Sequence, residues 1–219
     1  MSSDPRPTAS VPDELFGCWQ REWIEFADGS RDDTSFVVWL QLPSLMADVR
    51  LSPAVMALAS ARRTGFAECS PDELRLLASG DSSAGATTCT AFVAGSDGVR
   101  TATAEWSSTV GFQAVSAFPE PGLLELSDDG ATMIERAPSG AYVEQWQLLS
   151  GSRSALGCTT LPDGSTWYRA GDVGVLVHDR RMGGVALDCE FSFAREAPAG
   201  YRVEHSTLPW RVGATISPV

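Results

Sequence analysis

The chain has no lysine: all 16 of its basic residues are arginine. That absence excludes Schiff-base chemistry, a pyridoxal phosphate aldimine included, and the phosphate-gripping lysine of a P-loop. No GxGxxG and no GxxxxGK[ST] occurs either, so nothing indicates a dinucleotide or triphosphate, and no cofactor is expected. The five cysteines, Cys18, Cys69, Cys89, Cys158 and Cys189, are odd in number and widely spaced, without a CxxC or CxxH pair. They support neither a zinc knuckle nor a redox motif and read as small buried residues of a reduced, cytoplasmic protein. Histidine is equally scarce. His178 and His205 sit at predicted strand ends beside Asp179 and Glu204, but adjacent strand residues point to opposite faces, so no metal site is expected.

Positive charge is in deficit, with 16 basic against 28 acidic residues and a net charge of −12. Nucleic acid and anionic membrane are therefore not expected partners, since both require a basic surface. No apolar run has the length of a membrane span, and the polar start MSSDPRPTASVPDE lacks the apolar core of a signal peptide. The three prolines within residues 1–12 predict a disordered tail, leaving 13–219 as one barrel domain or as two fused half-barrels, 13–150 and 151–219.

What the chain does have is concentrated between Gly17 and Ser52. Three consecutive antiparallel strands are predicted there: Cys18–Phe26, closed by Asp28-Gly29; Thr34–Leu42, closed by Pro43-Ser44; and Met46–Leu51. Side chains alternate along a strand, so Trp19, Arg21 and Trp23 share a face, Val37, Trp39 and Gln41 share one, and Asp48 and Arg50 share one. Phe36, Val38 and Leu40 lie opposite, with Ala47, Val49 and Leu51. One face is apolar; the other mixes tryptophan with charge. Such a face is either solvated or the lining of a cavity, and the size and apolarity of tryptophan favour the second.

Helical composition follows at Leu51–Arg63 and Ser70–Ser79, where Ser70 caps, Pro71 suits the first turn and Asp72 and Glu73 complement the dipole. The Gly80-Asp81-Ser82-Ser83 segment has no GxSxG frame and reads as a flexible loop. From Thr87 onward strands return, punctuated by Asp129-Gly130, Asp163-Gly164 and Gly183-Gly184. The fold class expected is all-β, mainly antiparallel: a barrel of about 10–12 strands with one or two short helices near 53–79. The mixed face recurs at Tyr142, Glu144 and Trp146 and at Asp188, Glu190 and Ser192. Closure of these strands with the opening three would bring Glu144, Asp48 or Glu190 to Arg21 or Arg50, beside Trp39 and Trp146. The terminal STLPWR turn reads as Trp210 packed on the barrel mouth.

The runs TSFVVWLQLPSLMADVRLS, YVEQWQLL and LDCEFSFAREAPAGYRVEHSTLPWRVG resemble a family of lipocalin-like proteins, the bacterial relatives of the yeast Hri protein. The resemblance covers most of residues 15–213 and implies an antiparallel β-barrel, or two fused half-barrels, with no settled activity. Where bacterial members tend to carry a polar Trp-His-Arg-Glu-Ile-Asp-Phe-Gln run, this chain has Trp106-Ser107-Ser108-Thr109-Val110-Gly111-Phe112-Gln113. If that strand lines the cavity, the small residues enlarge it.

Two functions fit these features, and a third is kept beside them. The first is an interior site for an apolar or aromatic small molecule, lined by Trp19, Trp23, Trp39, Gln41, Trp106, Phe112, Tyr142, Trp146 and Glu190. The second is a cofactor-independent cyclase, isomerase or lyase of specialised metabolism, with Glu144 or Asp48 as acid or base and Arg21 or Arg50 as electrostatic partner. The third is a protein–protein interaction module with an exposed tryptophan surface.

Overall fold

The structure is a computed structural model and describes residues 11–61, 63–96, 98–115 and 120–218. The first ten residues of the expected disordered tail lie outside the described residues. In chain order the strands are β1 (Gly17–Phe26), β2 (Arg31–Asp32), β3 (Phe36–Gln41), β4 (Met46–Leu51), β5 (Ser83–Cys89), β6 (Val93–Ala94), β7 (Arg100–Gly111), β8 (Gly122–Leu126), β9 (Thr132–Arg136) and β10 (Tyr142–Leu148). They are followed by β11 (Gly157–Thr160), β12 (Thr166–Ala170), β13 (Val173–Asp179), β14 (Cys189–Ala197), β15 (Gly200–Ser206) and β16 (Thr215–Ile216). Every pairing is antiparallel.

The first ten strands form one sheet and the last six another. Within the first, β10 returns to pair with β1 and closes an eight-stranded barrel, β1-β3-β4-β5-β7-β8-β9-β10; β2 and β6 extend as hairpin arms. Closure leaves the eight strands without a free edge. The second sheet is a half-barrel in the sequential order β11 to β16.

The alternation predicted for the opening strands determines how the two sheets meet. On β3 and β4 the apolar set Val38, Leu40, Ala47, Val49 and Leu51 points out of the barrel and packs on Tyr168, Val173, Val175, Phe191 and Phe193 of the half-barrel. The mixed set points into the lumen. Each strand of this pair is thus buried on both faces, which is why its burial is nearly continuous rather than alternating.

One end of the lumen is filled. Val11 and Leu15 precede β1 and pack with Trp19, Leu124, Leu126 and Met133; the Trp19 indole donates to the Leu15 carbonyl at 2.8 Å. Arg153, in the connection to the half-barrel, donates to the carbonyls of Glu14, Phe16 and Gly130 and so ties this plug to the barrel wall.

Helix α1 (Pro53–Ala57) continues as a 3-10 turn, and α2 (Pro71–Ala78) carries the full capping box: Ser70 accepts from the Glu73 amide and Glu73 accepts from the Ser70 amide. Both helices contribute to the core against the half-barrel, through Val55 and Leu77. Trp210 packs edge-on against Phe66 in the segment between them, with ring centroids 4.7 Å apart.

Candidate functional site

Above the plug the lumen opens into a cavity of about 370 Å³. Its walls come from β3, β4, β5, β7, β9 and β10, and its rim from the segments that precede β5 and β8. Three tryptophans form a corner: Trp39 meets Trp106 edge-on, with centroids 5.7 Å apart, and Trp146, with centroids 6.2 Å apart. Two of the three indole N–H groups are held, that of Trp39 by Gln41 (3.1 Å) and that of Trp146 by Glu135 (3.1 Å).

Charged groups complete the lining. Asp48 accepts the Arg50 Nε–H at 2.7 and 3.0 Å through its two oxygens. Glu144 faces Arg21, whose Nη1 lies 3.4 Å away and whose Nη2 reaches Asp32 at 3.0 Å; the side chains of Arg21 and Glu144 are 7% and 3% exposed. Glu135 accepts the Tyr142 hydroxyl at 2.9 Å, along with the Trp146 indole. No arginine lies within ion-pair distance of it among the described residues. In the β9–β10 register Glu135 stands directly opposite Glu144.

The three buried carboxylates therefore differ in their surroundings. Burial, reinforced by the charge of Glu144, holds Glu135 well above the ordinary carboxylate range, against the opposing hydrogen bonds of Tyr142 and Trp146. Burial also pushes Asp48 up to about 6, although Arg50 pulls it down. Burial and the neighbouring Glu135 raise Tyr142 above the usual phenol range. A pair of carboxylates whose environments separate their proton affinities offers an acid and a base in one site.

Gly122 makes room for this arrangement. A Cβ there would lie 2.6 Å from Cη2 of Trp106 and 3.0 Å from Oε1 of Glu135. Gly85 serves β5 similarly, since a Cβ would come within 1.9 Å of the Ser107 carbonyl oxygen where β5 and β7 shift register.

Of the sequence-predicted site residues, Asp48, Arg50, Trp39, Trp106, Tyr142, Glu144 and Trp146 line the cavity together, and Arg21 stands behind Glu144. The others are placed differently. Trp23 faces out, because a bulge at Glu22 shifts the register between Arg21 and Trp23 and reverses the alternation: its indole donates to Gln145, and Arg31 stacks on its ring. Ile24 takes the inward position. Trp19 is in the lumen but belongs to the plug. Gln41 is fully buried below the cavity, accepting from Trp39 and Thr87 and donating to the Leu42 carbonyl. Phe112 packs toward the core outside the barrel. Glu190 lies in the half-barrel, held by Arg180 at 3.1 Å and Arg211 at 2.7 Å, and takes no part in the cavity.

The segment expected to be a flexible loop is instead ordered wall. Ser82 is fully buried, its hydroxyl accepting from the Arg50 amide at 2.9 Å, and Asp81, Ser82 and Ser83 all line the cavity. His178 contacts Arg180, and His205 stacks on Phe36 with ring centroids 3.7 Å apart, so the two histidines have separate structural surroundings. Sequence reasoning missed Asp81, Glu105, Glu120 and, above all, the buried Glu135. Its signal was available: the alternation in Thr132–Arg136 places Met133 and Glu135 on one face, a glutamate beside a buried methionine. Searches of family models, curated proteins and solved structures return no match to this chain.

Proposed function

We propose that the closed barrel holds a small organic molecule bearing an apolar or aromatic part, lodged against Trp39, Trp106 and Trp146. The observation that carries this reading is the cavity itself: about 370 Å³ within a closed barrel, aromatic at one corner and furnished with a few placed polar groups. A barrel whose sole role was structural would gain by filling that volume with side chains, as the plugged end does. The five free cysteines fit a cytoplasmic setting. The reading also takes the chain as a relative of the yeast Hri protein, on the segments quoted from the sequence. Titration of intrinsic tryptophan fluorescence with a panel of small aromatic and alicyclic compounds tests it. Saturable quenching that disappears in Trp106→Leu is the expected result; quenching by no member of the panel removes the reading.

The opposed Glu135 and Glu144 favour a second reading, a cofactor-independent enzyme working by proton transfer. Glu135 is the acid, and Glu144 or Asp48 the base. Arg50 then stabilises negative charge developing on the substrate, and the dry aromatic wall strengthens each of these interactions. The discriminating measurement is turnover of a bound compound by the native protein and by Glu135→Gln. Binding without turnover leaves the first reading standing alone.

A further inference from the structure

We propose that the cavity selects an organic monocation, an alkyl- or aryl-ammonium, seated among Trp39, Trp106 and Trp146 with its charge balanced by Glu135 and Glu144. The inference rests on reading the barrel as a small-molecule site and goes beyond it by fixing the ligand's charge. Its first support is the ionic balance of the lining. Six carboxylates, those of Asp48, Asp81, Glu105, Glu120, Glu135 and Glu144, line the cavity beside one guanidinium, that of Arg50. The guanidinium is engaged by Asp48, and Arg21, outside the lining, serves both Glu144 and Asp32. Glu135, only 5% exposed, is left with two neutral donors and no cation.

A neutral or anionic ligand would displace water from these carboxylates and return nothing for it. A cation compensates the charge it desolvates. The aromatic corner is the second, independent support. The rings of Trp39 and Trp146 are buried, their N–H edges held by protein acceptors, so the ring that presents its electron-rich surface to the cavity is that of the half-buried Trp106. The two edge-on contacts that meet at Trp39 hold this corner in place, and an ammonium group is attracted to the face of a tryptophan ring there. The net charge of −12 acts in the same direction at long range, drawing cations toward the mouth.

The test uses three probes of one shape: phenyltrimethylammonium, its neutral isostere tert-butylbenzene and the anion benzenesulfonate. Each is titrated into the full-length protein by tryptophan fluorescence and by calorimetry. The ammonium is expected to bind at least about tenfold more tightly than the isostere, an advantage largely lost in Glu135→Gln. Because the probe's charge is permanent, any pH dependence belongs to the protein. Glu135 is faced by Glu144 and Tyr142 from β10, by Arg50 (itself paired with Asp48) from β4 and by the uncharged Gly122 from β8; Glu105 on β7 lines the same cavity. Affinity for the ammonium should therefore rise between pH 6 and pH 9 as the carboxyl ionises, a measurement on the native chain that stands even if the variant fails to fold. Equal or tighter binding of the isostere or the anion overturns charge selection but leaves the barrel a binding site. A flat pH profile overturns the assignment to Glu135. No binding by any of the three overturns both the inference and the reading beneath it.

Discussion

Glu135 and Glu144 face each other across the β9–β10 ladder, both inside the barrel and both buried, yet only Glu144 has an arginine. Like charges directly opposite on a sheet are destabilising. The two differ in their partners: Arg21 pairs with Glu144, while burial and the charge of Glu144 raise the proton affinity of Glu135.

This difference gives stability a definite pH dependence. Glu135 and Asp48 both have folded-state proton affinities raised by burial, Asp48 to about 6. In the unfolded chain both ionise at about 4. Between these values the unfolded state sheds protons that the folded state keeps, so unfolding free energy falls as pH rises. Urea denaturation should show stability declining from pH 5 to pH 8, with a shallower decline in Glu135→Gln. Parallel curves for the two proteins would refute the assignment.

Removing Arg21 should be costly in a way that a second substitution relieves. Arg21→Met strands Glu144 as a buried, unpaired anion, a loss of about 3–5 kcal/mol. In Arg21→Met/Glu144→Gln the stranded charge is gone, and much of that loss should return. Denaturation midpoints of the four proteins of this double-mutant cycle measure the coupling; additivity of the two single effects would mean that the 3.4 Å contact contributes nothing.

Gly122→Ala should close the cavity from the β8 side. Its Cβ cannot coexist with Trp106 and Glu135 in their present positions. We expect a loss of about 1–3 kcal/mol and altered near-ultraviolet dichroism, because Trp106 must turn. Dichroism superimposable on that of the native protein would show that the wall yields without cost.

The barrel and the half-barrel should unfold together. Phe191 and Phe193 bury against Val38, Leu40 and Val49, so neither sheet keeps its apolar face covered alone. Phe191→Ala, in the half-barrel, is expected to lose about 3–5 kcal/mol and to shift the unfolding of both units equally. Tryptophan fluorescence and far-ultraviolet dichroism should give coincident transitions; two separated midpoints would contradict this.

Much of this was legible in the residues, and the reasons it stopped are local. Strand alternation identified Trp39, Asp48 and Arg50 as sharing one face, and burial of the opposite face followed from Val38, Leu40 and Val49. Period-2 reasoning failed at Trp23 because a bulge adds one residue and reverses every later position on the strand; a bulge without glycine leaves no mark in sequence. Glu190 has the same alternating context as Glu144, and only the division of strands between two sheets separates them. Ser82 looked like loop because its burial depends on Arg50, 32 residues earlier in the chain.

The double burial of β4 limits how this protein can change. Met46, Asp48 and Arg50 are committed to the lumen, while Ala47, Val49 and Leu51 are committed to the half-barrel. A substitution there disturbs either the ligand site or the joint between the sheets. On β7, by contrast, Ser107 and Thr109 are exposed next to the cavity-lining Glu105, Trp106 and Ser108. New ligand preferences should therefore arise most easily on β7, where a selection from random libraries would find its tolerated diversity, while β4 remains the fixed wall.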